Sequence, residues 1–332
     1  MASVKDVARL AGVSPMTVSR ALNTPEKVNP ETLARVLQAV ERLNYVPSLS
    51  ARQIRGGTSG GKTIGVLAFD TATTPFAVEM LLSLEQTARE HGWSVFILNV
   101  FETPPCPQVI DLLLSHRPDG IIFSAMQLRV LQVPAVLRDK PLVLSGCLST
   151  EADIACYVPD DEEGQYCAVK QALERGYRRP LCINLPRHSL ASTLRQQGLQ
   201  RALTEAGIPL EAVPQYDISA DDAYGETLDE LRRRLSASNG KPDFDLLICG
   251  NDRIALVAYQ YLLGCGLRIP EDVAVLGYDN MVGVAELFYP PLTTVQLPYY
   301  EMGRRATLHL IKEKHEPFIH RVPCPVISRQ SW

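Results

Sequence analysis

Val4-Lys5-Asp6-Val7-Ala8-Arg9-Leu10-Ala11-Gly12-Val13-Ser14-Pro15-Met16-Thr17-Val18-Ser19-Arg20-Ala21-Leu22-Asn23 holds two short helical patterns on either side of a tight turn. Val7, Ala8 and Leu10 supply the apolar positions of the first helix. Gly12 sits in the turn, where it can take a positive φ without a Cβ penalty. Ser14 is a good N-cap and Pro15 suits the first helical position, so a second helix is expected over residues 15–22. A third is expected over 30–43, with Leu33, Val36, Leu37, Val40 and Leu43 along one stripe. In a helix-turn-helix the second helix enters the DNA major groove with its N-terminal residues at the base edges. Pro15, Met16, Thr17, Ser19, Arg20 and Asn23 form the groove-facing set, and Val18, Ala21 and Leu22 face the first helix. Arg20 can fork onto guanine, while Thr17 and Ser19 can reach phosphate or base. A small helical bundle with a solvated basic face would show the same spacing.

The charge distribution favours the DNA reading. The 332 residues carry a net charge of -4. Residues 1–60 hold eight Lys/Arg against four Asp/Glu, hence +4, which leaves -8 for the remainder. A basic head on an acidic body restricts any nucleic-acid contact to one end. No apolar run reaches the roughly 18 residues of a membrane span, and residues 1–6 hold no apolar signal core, so a cytoplasmic protein without a membrane partner is expected. The eight cysteines include no C-x-x-C pair and several lie in apolar runs, as in Leu181-Cys182-Ile183, which reads as buried free thiols rather than a metal site.

Beyond Pro47, residues 48–55 offer one or two helical turns with a basic face, and Gly56-Gly57-Thr58-Ser59-Gly60-Gly61 is the most linker-like stretch of the chain. The expected domains are therefore 1–47, a hinge and linker over 48–61, and a core over 62–332. Residues 56–63 also satisfy G-x-x-x-x-G-K-[ST], but a phosphate-cradling loop must leave a strand and open a helix. Here the order is reversed, so no nucleotide cofactor, and no other cofactor, is expected. From Lys62 onward, expected strands at 64–69, 94–100, 120–124, 141–145, 181–185, 245–250 and 273–279 alternate with helices at 76–91, 162–175, 192–206, 223–235 and 252–263. Such alternation implies an α/β core of two parallel sheets covered on both faces, with ligands beyond the carboxyl ends of the strands. By local context Asp70 after the first strand, Phe76 opening the first helix, Arg195, Asn251 and Asp279 are the candidate effector-binding residues.

The N-terminal segment resembles the helix-turn-helix of the LacI/GalR family of transcription regulators. The similarity continues through Leu43-Asn44-Tyr45-Val46-Pro47, Ser50-Ala51-Arg52-Gln53-Ile54, Arg117-Pro118-Asp119-Gly120-Ile121-Ile122, Gly250-Asn251-Asp252, residues 269–279 and Pro290-Pro291-Leu292-Thr293-Thr294-Val295. These blocks cover essentially the whole chain in the family's order. The resemblance implies an all-α DNA-binding head joined to a two-lobed core like that of periplasmic binding proteins. It implies a homodimer on operator DNA, with paired hinge helices in the minor groove and Ile54 as the wedge, a position that is usually leucine. In the family, residues matching Arg195, which lies in an R-x-x-G block, Asn251 and Asp279 bind effector hydroxyls. An aromatic at Phe76 can stack on an apolar sugar face.

Two carboxylates to one arginine in the candidate set point to a neutral effector. Residues 70–76, 242–249 and 296–298 are similar to the branch of the family that regulates sucrose operons in enteric bacteria, which implies sucrose or a related sugar. Whether sugar releases the operator or acts as a corepressor stays open, and a sugar-binding protein without DNA function is the alternative for the core alone. Catalysis is not expected, since no positioned nucleophile and base are visible. His309, His315 and His320 read as solvated. No leucine heptad follows His320, which limits the expectation to a dimer.

Overall fold

The computed structural model describes residues 2–45, 62–71, 76–219 and 223–332, the side chains of Asn23, Phe76 and Ala223 excepted. The expected hinge over 48–55, the wedge Ile54 and all but the last two residues of the G-x-x-x-x-G-K-T stretch lie outside the described residues. The chain divides into two compact units, Met1–Lys62 and Thr63–Trp332.

The first unit contains α1 (Val4–Ala11), α2 (Pro15–Asn23) and α3 (Pro30–Arg42). Each start is capped by the residue before it. The Asp6 amide donates to Ser3 Oγ at 3.3 Å, and the Ser3 amide donates back to the Asp6 carboxylate at 2.9 Å. The Thr17 amide donates to Ser14 Oγ at 3.0 Å, and the Glu31 amide to Asn29 Oδ1 at 2.9 Å. Gly12 ends α1 with φ 63°, the backbone conformation the turn requires. Val7, Ala8, Ala11, Val18, Ala21, Val36, Ala39 and Tyr45 form the core. Leu37 departs from its expected stripe: it is 49% exposed, and Ala39 takes the inner place. With 3.6 residues per turn, Val36 and Ala39 share the inward face while Leu37 lies about 100° further round.

The second unit holds two six-stranded sheets. The first runs in the order β13-β7-β5-β3-β1-β2, built from β1 (Thr63–Phe69), β2 (Ser94–Val100), β3 (Gly120–Ala125), β5 (Leu142–Ser145), β7 (Ala155–Pro159) and β13 (Ile319–Val322). The second runs β14-β12-β11-β10-β8-β9, from β8 (Pro180–Asn184), β9 (Gln215–Asp217), β10 (Leu246–Cys249), β11 (Ala274–Asp279), β12 (Thr293–Gln296) and β14 (Val326–Ile327). Every ladder is parallel except β12 with β14. A small parallel pair joins β4 (Val130–Leu131) and β6 (Leu148–Ser149). The helices are α4 (Phe76–Glu90), α5 (Pro107–Ser115), α6 (Asp161–Glu174), α7 (Leu190–Glu205), α8 (Ala223–Ala237), α9 (Asp252–Gly264) and α10 (Tyr299–Ile311). The chain passes between the sheets three times: after β7, after β12 and after β13.

Two features bear on the cleft. Gly198 lets α7 approach α6 closely, because a Cβ there would lie 2.2 Å from the Glu162 carbonyl oxygen. The helix α10, unread in the sequence, buries Met302, Ala306 and Leu310 and packs against α4. That packing overturns the solvated reading of His309: it is buried, its Nδ1 3.1 Å from Tyr157 Oη, and burial holds its pKa down. His320 stacks on Tyr157 with ring centroids 4.4 Å apart, and His315 is exposed. All eight cysteines are free thiols.

Candidate nucleic-acid interface and effector cleft

On the first unit the outer face of α2 presents Pro15, Met16 and Arg20 exposed, with Thr17 and Ser19 half-buried. Asn23 ends the helix. Capping by Ser14 fixes the first turn, and the positive end of the helix dipole lies where a phosphate would be favoured. Lys5, Arg9, Lys27, Arg35 and Arg42 are also exposed, so the unit is basic over much of its surface.

On the second unit a cleft of about 820 Å³ opens between the two sheets. It is lined from one side by the segment after β3, including Met126 and Arg129, and from the other by the ends of β8, β10 and β11 and the start of α7. Arg195, Asn251 and Asp279 line this cleft together. Arg195 is the centre of its charge. Its Nε donates to Asp161 Oδ1 at 2.7 Å, its Nη1 donates to the Gly250 carbonyl at 2.7 Å, and its Nη2 lies 3.9 Å from Asp279 Oδ1. The guanidinium carbon lies 3.4 Å from the centroid of the Tyr278 ring. Burial works against the charge of Arg195, but Asp161, Tyr278 and Asp279 outweigh it and push its pKa up. Asp279 goes the other way to an exposed carboxylate: burial raises it well above the usual range, with Arg195 opposing only in part. Its backbone takes φ 115°, a strained conformation of the kind that gathers at ligand sites.

Asn251 caps α9 by accepting the Ile254 amide on Oδ1 at 2.8 Å, which commits one end of its side chain to the fold. Next to it, Asp252 is structural: it accepts Thr294 Oγ1 at 2.6 Å and the Met281 amide at 2.7 Å, and burial pushes its pKa to about 6. Asp70 is not part of the cleft lining; it makes an ion pair with Arg129, which is. Phe76 opens α4.

Several lining residues were not read from the sequence. Asp161 is buried at the start of α6, and its Oδ2 has no hydrogen-bond partner among the described residues. A buried carboxylate oxygen of this kind is costly unless a ligand satisfies it. Its signal was the acidic run Asp160-Asp161-Glu162-Glu163 after Pro159, a helix start placed where the chain changes sheets. Arg129, Arg253, His188, Tyr224 and Tyr299 also line the cleft, and Tyr299 Oη donates to the Met126 carbonyl at 3.0 Å. The lining therefore holds three arginines, and the carboxylate excess expected from the sequence gives way to local pairing: Arg129 with Asp70, Arg195 with Asp161 and Asp279. Among the described residues no cluster of His, Cys, Asp or Glu could hold a metal, and no helix is long and apolar enough to cross a membrane.

Residues 3–48 match the family of bacterial regulatory proteins of the lacI family, and residues 61–330 match that of periplasmic binding proteins and the sugar binding domain of the LacI family. Over 332 residues, all of each chain, the sequence is 49% identical to the sucrose operon repressors of Shigella flexneri and Escherichia coli. It is 32% identical to the HTH-type transcriptional repressor PurR of Aliivibrio salmonicida, covering 100% of this chain and 99% of that one. The solved Lac repressor bound to ONPG in the repressed state has the same fold, with TM-score 0.81 and 24% identity over 100% of this chain and 99% of that one.

Proposed function

The chain belongs to the LacI family of bacterial regulators, and from that premise we propose that it represses a sugar-utilisation operon and leaves its operator when a small neutral sugar, sucrose or a close relative, fills the cleft. The observation that carries the reading is the cleft around Arg195, whose charges are already matched within the protein while one buried carboxylate oxygen of Asp161 has no partner among the described residues. A ligand bringing hydroxyls and no charge satisfies such a site; a polyanion does not.

Pro15, Met16, Thr17, Ser19, Arg20 and Asn23 are assigned to the major groove and Ile54 to the minor-groove wedge, with 1–47 as the head, 48–61 as hinge and linker and 62–332 as the core. Arg195, Asn251 and Asp279 are assigned to effector hydroxyls and Phe76 to an apolar sugar face, while Asp70 acts through Arg129. Operator half-sites call for two heads, and the exposed Val78 and Leu82, one turn apart on α4, support self-association as a dimer. The protein works in the cytoplasm, where its operator is, and no catalytic step is assigned to it.

Sugar acts by binding one arrangement of the lobes better than the other, and a shift from mostly operator-bound to mostly free needs a preference of about 5.5 kcal/mol. Gel shifts of operator DNA with and without sucrose test the reading. Release by sucrose is expected. Tighter binding with sucrose would instead establish corepression, and no preference for any promoter fragment at low ionic strength would remove the DNA-binding function.

A further inference from the structure

The large cleft does not end at its mouth. A shallow groove of about 530 Å³ continues from it along the end of β9, and the two share Pro186, His188, Ile218 and Ser219 as a common wall. We infer that this groove holds the second ring of a two-ring saccharide whose first ring lies in the cleft beside Arg195, an inference that rests on the sugar-effector reading above.

The groove carries the chemistry a pyranose or furanose ring needs. Tyr216 is half-buried in its floor, with its hydroxyl donating to Glu226 Oε2 at 3.3 Å, so the ring is fixed in place and offers a face to C–H groups. Arg187 and Asp217 form an ion pair across it. Asp217 is held from beneath by Asn184, whose Nδ2 donates to Oδ1 at 3.0 Å, whereas the Arg187 side chain is 88% exposed. A neighbouring pair of hydroxyls can donate to the carboxylate and accept from the guanidinium at once. With the Arg187 end of the pair in water the pairing is weak, so a ligand can share it at little cost.

The charges also select against a phosphorylated sugar. Glu226 is kept ionised, its pKa lowered first by the Ser219 hydroxyl and then by the Ser219 amide, so among the described residues the groove holds two carboxylates to one guanidinium. The inner end of the path is dry and pre-paired and the outer end is wet and adjustable. That gradient suits a ligand with one tightly specified ring and one more tolerant ring.

Titration calorimetry of the full chain with sucrose, fructose and glucose tests the assignment, using the wild type, Arg187→Ala and Tyr216→Ala. Sucrose should bind the wild type at least about tenfold tighter than either monosaccharide. Arg187→Ala, which removes an exposed side chain and leaves the fold intact, should weaken sucrose about fivefold and leave fructose and glucose within about twofold. Tyr216→Ala should act in the same direction and more strongly, provided its melting temperature stays near that of the wild type. Sucrose binding no tighter than its component sugars, no change in Arg187→Ala, or an equal loss for all three sugars would overturn the groove assignment alone. A wild type that binds its operator but none of these sugars would overturn the sugar-effector reading with it.

Discussion

The face of the head proposed to read DNA and the cleft proposed to hold the effector are built in opposite ways. On α2 the foremost proposed contact residues stand in water: Met16 is 72% exposed and Arg20 is exposed, while the Ser14 cap and the apolar underside tie the helix to the fold. In the cleft the candidate binding groups are part of the core: the Arg195 side chain is 9% exposed and Asp161 1%, and each holds the other in place. A surface arranged like the head can change what it recognises without losing its fold. A site arranged like the cleft cannot, because its binding groups also neutralise one another.

The largest effect should follow Arg195→Ala. Removing the guanidinium leaves Asp161 and Asp279 buried without their cation, and breaking a buried pair in this way costs about 3–5 kcal/mol. Urea unfolding of the isolated core measures it. A variant as stable as the wild type that merely ignores sugar would break the contrast, since the cleft would then behave as the head does.

Acid should separate the two regions next. Burial pushes Asp252 to about 6, whereas an unfolded aspartate titrates near 4. Between those values the folded state holds the proton more tightly, so this group's contribution to stability rises as pH falls from about 6 to about 4 and is lost as pH rises back through that range. It is worth up to about 3 kcal/mol. The head shows the opposite sign: the Ser3 hydroxyl and then its amide hold Asp6 below the ordinary range, so its capping contribution is present above that range and fades on acidification. Unfolding of wild type and Asp252→Asn between pH 4 and 7 should give a stability difference that changes with pH. A constant difference would remove the assigned role of Asp252.

The smallest effect in stability should come from Arg20→Ala, which should leave the unfolding curve unchanged within about 0.5 kcal/mol. It should cost about 1–3 kcal/mol of discrimination between cognate and scrambled operator, read by fluorescence anisotropy. Equal loss on both DNAs would demote Arg20 from a base contact to a phosphate contact, and so sharpen the account of what the exposed face reads.

The same contrast explains what could be read in advance. The head is legible because its signals are local: Gly12, Ser14 and Pro15 mark the turn, cap and first turn within four residues, and all three act as their chemistry suggests. Asn251 and Asp279 were legible for a related reason, since one follows and the other closes an expected apolar strand and ligands gather at such ends. Asp161 was not, because it follows β7, whose short run Ala155-Cys156-Tyr157-Val158-Pro159 ends in proline and shows no alternation. Tyr299 was hidden in the same way: Pro298 reads as a break, although it stands at the N-cap of α10 and the spacing of Met302, Ala306 and Leu310 marks the helix beyond it. Asp161 and Tyr299 both lie where the chain changes sheets, and only the assembled core brings them to the cleft that Arg195 lines.

The order of strands in the two sheets has a consequence for synthesis. The first sheet takes its edge strand, β13, from residues 319–322, and the second takes β14 from 326–327, so both halves of the core wait on residues that follow all their other strands in the chain. The three helices of the head share a core drawn from residues 2–45 and can form while the rest is still being made. A chain cut short before residue 319 would therefore carry a folded DNA reader on a body unable to sense sugar, which makes the integrity of residues 319–327 a matter of gene control as much as of folding.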